Sequence, residues 1–476
     1  MTVVTRPTGV KSSLGGSYAP PIRPCRHVPA RSVTPWVAQP GTAGRAVVVG
    51  AGKMGLPLAV QFARHGWHVT AVDVNPDVVA AINAGRSQIG EEPGLAEGVA
   101  EVHAAGLLQA TSDAAAAVRA ADVAVLIVPV MLSDEKQPDY RYMDPAVDSI
   151  SGGVHAGLTV IFETTLPIGV TRGRFAPKLE AASGLRADRD FFVAFSPERL
   201  FSGAVFANLA TYPKLVGGIG PESTRRAAAF YDSVLDAEIV AMSSAEAAEF
   251  SKLADTTYRD VNIALANEFA RAADRAGVDI QEVIEAANSQ PYSHIHQPGI
   301  GVGGHCIPVY PHLILSRDPD LEVVSTARRV NDAQVPRAID AVADALDGLD
   351  GTPVLVLGLT YREKVNELAY SQALPLIKGL ADRGAAVYAY DPLVSADAIT
   401  RLGARPYRWG ESAPFRAIVT QTGDAMWRSL DFALFPELRV LFDGRNSVRD
   451  ADLPAAVQYI GIGVQAATRR RAALCS

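Results

Sequence analysis

The stretch Arg45-Ala46-Val47-Val48-Val49-Gly50-Ala51-Gly52-Lys53-Met54-Gly55, continued by Leu56 to His65 and Val69-Thr70-Ala71-Val72-Asp73, decides the fold. Residues 45–50 read as a buried strand and the glycines turn the chain. Leu56 to His65 then has helical spacing, and a second strand follows. A strand-turn-helix-strand unit opens a doubly wound parallel sheet. Between strand and helix, Gly50-x-Gly52-x-x-Gly55 offers backbone amides to a pyrophosphate, and its missing side chains permit close approach. Asp73 ends the second strand, where a carboxylate accepts ribose hydroxyls and repels a 2'-phosphate; Val74 and Asn75 supply no arginine. The expected cofactor is NAD, held by Gly50, Gly52, Lys53, Met54, Gly55 and Asp73.

Outward from this unit, apolar runs at Val123 to Val128 and Thr159 to Phe162 alternate with alanine-rich helical stretches. From 244 to about 287 the strand signal stops, and Phe250, Leu253, Tyr258, Val261, Leu265 and Phe269 recur at helical intervals. One long helix or two in series is expected there, suited to packing on a twin subunit. Alternation resumes at Pro353 to Gly358, Ala386 to Asp391, Ala417 to Val419 and Val440 to Asp443. The expected class is α/β, with two Rossmann-like doubly wound parallel-sheet domains joined by a long central helical region. The expected divisions are a flexible extension at 1–43, a cofactor domain at 44–243, a helical domain at 244–348 and a second Rossmann-like domain at 349–476.

Composition narrows the function. The chain has 476 residues, 48% hydrophobic and 20% charged, and a formal charge of -7 spread without a basic cluster, which points away from nucleic acid. No uninterrupted apolar stretch has the length of a membrane span. The first 40 residues are rich in proline and arginine without an apolar h-region, so a secretory signal is not expected. Three cysteines, Cys25, Cys306 and Cys475, do not make a disulfide framework, and a reducing cytoplasm is the expected setting.

Cys306 stands in Gly301-Val302-Gly303-Gly304-His305-Cys306-Ile307-Pro308. The glycines are expected to leave backbone exposed beside the thiol, so that a substrate carbon can approach it. A thiol nucleophile together with a dinucleotide loop suggests oxidation of an alcohol or aldehyde. Lys252 is a candidate cation for the thiolate. His294, His296, His305 and His312 crowd the stretch, but their spacing fits no common zinc pattern, and no metal is expected.

These residues resemble the UDP-glucose/GDP-mannose dehydrogenase family, most closely its bacterial branch acting on UDP-N-acetyl-hexosamines. The resemblance covers about residues 45–465 and rests on nine colinear motifs. They are the Gly50 loop with Leu56-Pro57; Glu163-Thr164-Thr165-Leu166-Pro167-Ile168-Gly169; Ser196-Pro197-Glu198-Arg199; Glu249 to Lys252; Tyr258 to Ala264 with Asn267-Glu268; the Cys306 loop; Gly358-Leu359-Thr360-Tyr361; Tyr390-Asp391-Pro392; and Asp443-Gly444-Arg445-Asn446. The resemblance implies oxidation of a sugar C6 alcohol to a carboxylate with two NAD, in a homodimer or larger assembly whose C-terminal domain grips the nucleotide. It implies that Cys306 captures the aldehyde as a thiohemiacetal and that a thioester follows. Lys252 would stabilise the oxyanion, Thr165 would contact cofactor and water, and Glu198 would assist proton transfer. Pro129 joins the cofactor set, and Arg199, Lys252, Thr256, Arg259, Gly303, Tyr310 and Arg362 form the substrate set; Glu163 and Glu249 are weaker candidates.

Four positions depart from the family pattern. Tyr310 replaces an aspartate, Thr256 an asparagine, Ala369 an arginine and Arg362 a lysine. A phenol with an ordinary pKa near 10 stays neutral where a carboxylate would order water. The expected substrate is a nucleotide sugar, UDP-linked in the family's manner, with neither nucleic acid nor membrane as partner. Two alternatives stand beside full oxidation: a two-electron reaction on an unusual sugar nucleotide or sugar-nucleoside, and a non-catalytic paralogue that binds NAD and nucleotide sugar.

Overall fold

The computed structural model describes residues 44–90, 92–201, 203–449 and 453–464. The extension 1–43, Cys25, Cys475 and Arg469 to Arg471 lie outside the described residues.

The first sheet has eight strands. From edge to edge they are Ile239–Ala241, Lys214–Gly218, Phe192–Phe195, Thr159–Phe162, Val123–Leu126, Arg45–Val49, His68–Val72 and Leu108–Thr111. All neighbours run parallel except Phe192–Phe195 and Lys214–Gly218, which are antiparallel. Register decides what this sheet can do. Val49 pairs with Val72 and Leu126, Leu126 with Phe162, and Phe162 with Phe195. The strands therefore end level, and the glycine loop, Pro129, Thr165 and Glu198 all emerge at one carboxyl edge, where open parallel sheets bind ligands.

The second sheet is parallel throughout, in the order Arg405–Pro406, Ala386–Tyr390, Pro353–Leu357, Ala417–Thr420, Val440–Asp443 and Gln458–Gly461. Its strands also end level, with Leu357 paired to Tyr390 and Thr420, and Thr420 to Asp443. Both sheets use one device at their first turn. The Ala51 amide donates to Asp73 Oδ2 at 3.0 Å, and the Leu359 amide donates to Asp391 Oδ2 at 2.7 Å. In each, an aspartate after the second strand fixes the loop after the first.

The helix Ala245–Ala276 joins the two halves. Ser244 caps its start, accepting from the Ala247 amide at 3.2 Å, and Gly277 ends it in the left-handed region at φ 71°. Helix Glu322–Asp332 packs along it, and between them lies a buried polar chain. Arg328 donates to Asp260, Asn331 Nδ2 donates to Asp260 Oδ1 at 2.8 Å, and Asn267 Nδ2 donates to Asn331 Oδ1 at 3.0 Å. Asn267 Oδ1 then accepts the Gly299 amide at 2.9 Å. The chain thus fastens the start of the thiol loop to the long helix. Burial raises the Asp260 pKa, and Arg328 opposes that rise.

Arg328→Met leaves the Asp260 carboxylate buried without its cation and is expected to cost about 3–5 kcal/mol. Adding Asp260→Asn is expected to recover much of that loss. Denaturant melts of the single and double variants measure both.

Candidate active site

The cofactor loop is shaped by backbone contact. A Cβ on Gly55 would lie 1.8 Å from the Gly50 carbonyl oxygen, whereas one on Gly52 would meet nothing within 4 Å. Gly55 is therefore required for packing, and Gly52 opens to a ligand. Helix Gly55–Arg64 starts at Met54 without a side-chain cap; the Leu56 amide donates to Gly52 O at 3.1 Å and Pro57 has no N–H, which leaves the Gly55 amide of the first turn for an anion. Asp73 is half-buried; its oxygens accept the Ala51 amide at 3.0 Å and the Asn75 amide at 2.9 Å, leaving lone pairs for ribose hydroxyls. Pro129 is exposed beside this edge, and Thr164 Oγ1 donates to Val128 O at 2.7 Å beneath it. These residues fit a dinucleotide.

The thiol loop is gripped from the second sheet. Ile300 N donates to Gly444 O at 2.9 Å, Arg445 donates to Gly301 O at 3.0 Å, and Gln372 donates to Val302 O at 2.8 Å. The expectation that the glycines expose backbone is corrected. Gly301 and Gly304 are buried, and a Cβ on Gly304 would stand 2.9 Å from the Tyr361 ring. Gly303 would meet Tyr361 Cβ at 3.0 Å. The glycines let the C-terminal domain close on the loop, and Cys306 remains half-buried at its rim.

Around the sulfur the two halves meet. Cys306 Sγ lies 3.6 Å from the Tyr310 hydroxyl, four residues on, where the Tyr310 amide donates to Cys306 O at 2.9 Å. The Thr165 side chain reaches the same phenol from the first sheet. Burial, then the neighbouring thiol, push the Tyr310 pKa far above the usual phenol range. Tyr310 is thus a neutral hydroxyl at any working pH. Lys252 is 6% exposed, and its Nζ stands 5.8 Å from the Tyr310 ring centroid with no hydrogen-bond partner among the described residues. Burial raises the Glu198 pKa, while Lys252 draws it back. A carboxyl so placed is closer to exchanging protons near neutrality than an exposed one.

Other expected residues are engaged within the protein. Arg199 donates to Pro213 O, and Thr256, fully buried, accepts from Arg259 at 3.3 Å. Arg362 is exposed, 6.0 Å from the Tyr361 ring centroid. Glu249, one helical turn before Lys252, accepts the Gly169 amide at 2.6 Å and the Thr171 amide at 2.9 Å, and so ties the loop after Thr165 to the long helix. Burial lifts its pKa to about 7. Glu367 was missed by sequence reasoning. It faces Lys53 of the cofactor loop at 3.9 Å and His305 at 3.7 Å, although only its neighbours in the Tyr361 segment carried a signal.

Comparison with known proteins agrees with this architecture. Three models of the UDP-glucose/GDP-mannose dehydrogenase family match in chain order: the NAD binding domain over residues 44–235, the central domain over 246–333 and the UDP binding domain over 355–450. A UDP-N-acetyl-D-mannosamine dehydrogenase from Pyrococcus horikoshii is 34% identical over 429 residues, covering 88% of this chain and 99% of that protein. A solved structure of the Pyrococcus horikoshii UDP-D-ManNAc dehydrogenase superposes with a TM-score of 0.78 at 32% identity, covering 88% and 99% of the two chains. That of an NDP-N-acetyl-D-galactosaminuronic acid dehydrogenase from Methanosarcina mazei gives 0.80 at 28% identity, covering 89% and 96%. No described helix is long and apolar enough to cross a membrane.

A carboxyl whose folded pKa stands above its unfolded value contributes most where it is protonated in both states. The contribution of Glu249 is therefore largest below about pH 4.5 and is lost as pH rises through 7. Glu249→Gln is expected to remove a stability loss on the order of 3 kcal/mol across that window. Comparing the slopes of stability against pH for the two proteins tests it; equal slopes would refute it.

Proposed function

Because the chain belongs to the UDP-glucose/GDP-mannose dehydrogenase family, and is an NAD-dependent oxidoreductase, we propose that it oxidises the C6 alcohol of a nucleotide sugar toward the uronic acid with Cys306 as covalent nucleophile. The observation that carries this reading is the gathering of Cys306, Thr165 and Lys252 around the Tyr310 phenol, between the carboxyl edges of the two sheets. NAD on the Gly50 loop supplies the acceptor for the electron pair leaving the sugar carbon.

Cys306 adds to the C6 aldehyde, and Lys252 faces the oxygen that gains charge. After the second oxidation the carbon is held as a thioester, and Glu198 takes a proton from the water that releases the acid. Residues 44–243 serve the cofactor and 349–464 the nucleotide, with 244–348 presenting the thiol between them. Arg199, Thr256 and Arg259 are engaged elsewhere as described, so their contact with substrate requires rearrangement, whereas Arg362 is exposed. The named relatives favour a UDP-linked N-acetylated sugar as substrate. Exposed Phe250, Tyr258, Leu265 and Phe269 form one face of the long helix, the surface on which a homodimer would form.

A second reading is favoured by Tyr310. Its neutral hydroxyl stands beside the sulfur where a carboxylate would order and deprotonate water, so hydrolysis of the thioester is slowed or the reaction ends after one oxidation.

Counting NADH per UDP-N-acetyl-D-mannosamine consumed separates the two: two equivalents mark full oxidation and one marks the truncated reaction. Cys306→Ala is expected to lower acid formation on the order of 1000-fold or more, and undiminished acid would remove the thiol from the mechanism. Leu265→Glu is expected to shift the sedimenting species from dimer to monomer; an unchanged profile would place the interface elsewhere.

A further inference from the structure

Behind the cleft lies a buried ion pair that the chemistry above leaves unused. Lys214 Nζ stands 2.9 Å from Glu163 Oε2, and the two side chains are 8% and 0% exposed. The Tyr231 hydroxyl donates to the other Glu163 oxygen, and its ring lies 4.6 Å from the Lys214 ammonium. Such a buried pair adds little net stability, while removing one partner alone is costly.

Its location indicates what it serves. Phe192–Phe195 and Lys214–Gly218 are antiparallel, with Ala194 opposite Gly218 and Phe195 opposite Gly217. Continuing that register by three residues brings Lys214 level with Glu198. The segments are also stitched together: Ser196 Oγ donates to Leu215 O at 2.7 Å, and Arg199 donates to Pro213 O. The Glu198 amide donates to the Glu163 carbonyl at 3.2 Å. Glu163 thus carries the Glu198 turn on its main chain and Lys214 on its side chain, two residues before Thr165.

We propose that Lys214 is a positioning residue for Glu198, acting through Glu163: the pair fixes the Ser196–Arg199 turn and sets the balance of charge that Glu198 faces. This rests on the reading of Glu198 as the proton-handling group. The groups that face Glu198 are Lys252 from the long helix, Lys214 from the antiparallel strand, Glu163 from the end of Thr159–Phe162, and the neutral Tyr310 from helix Tyr310–Leu315. The lysines favour its ionised form and Glu163 opposes it.

The ligand-free protein provides the test. The infrared band of the protonated Glu198 carboxyl, identified by its loss in Glu198→Gln, is followed against pH. Lys214→Met leaves Glu163 uncompensated and is expected to raise the midpoint by about one pH unit, a tenfold change in proton affinity. Glu163→Gln leaves the cation uncompensated and lowers the midpoint, the double variant returns it close to the parent, and Lys214→Arg keeps it. A merely structural role produces no such opposed and cancelling shifts, so midpoints unmoved in the single variants would overturn the proposal. Should Lys214→Met fail to fold, the downward shift in Glu163→Gln still decides. Full acid formation by Glu198→Gln would instead overturn the role of Glu198, while leaving the measured coupling intact.

Discussion

The backbone of residues 299–304 is held from both sides, and the site exists because of that grip. Asn267 on the long helix fixes Gly299, while Arg445, Gln372 and the Gly444 carbonyl fix the three residues that follow. Each contact satisfies a main-chain group that a loop between two domains would otherwise present to water or bury unpaired. Arg445 is itself half-buried, and burial lowers its pKa. A loop fastened in this way holds its sulfur at one place relative to two sheet edges, which side-chain contacts alone do less rigidly.

Electrostatics in the cleft follow from what is missing beside the thiol. Lys252 faces an aromatic ring, and the carboxylate of Glu198 lies toward two lysines and a second glutamate. At position 310 the thiol loop therefore sets a neutral phenol, not a carboxylate, against Lys252. Under the proposed mechanism, that favours anionic oxygen on the substrate and leaves the handling of water to Glu198.

Much of this was legible in the chain. The runs at 45–50, 123–128, 159–162, 353–358 and 440–443 read directly as buried parallel strands because such strands are apolar on both faces. Phe192–Phe195 and Lys214–Gly218 escaped; the second begins after Pro213 and ends in Gly217-Gly218, without alternation. Nothing in the sequence revealed that Cys306 and Tyr310 share one turn or that Thr165 reaches the same phenol. The glycines were read as opening the thiol to a substrate carbon, and Tyr361 fills that space instead. Lys214 carried no pattern at all, since its partner Glu163 lies 51 positions earlier and only the antiparallel strand brings them together.

The repeated aspartate device has an unequal outcome in the two sheets. Asp73 is half-buried with lone pairs to spare. Asp391 is 5% exposed and accepts the Leu359, Thr360 and Leu393 amides, and the Thr422 hydroxyl crowds Gly358. The two first turns therefore differ: Asp73 keeps lone pairs for a ligand, whereas Asp391 is taken up by the protein's own amides. With one NAD binding domain matched in the chain, a conversion that consumes two equivalents would exchange spent for fresh at the same berth, while its half-finished product waits.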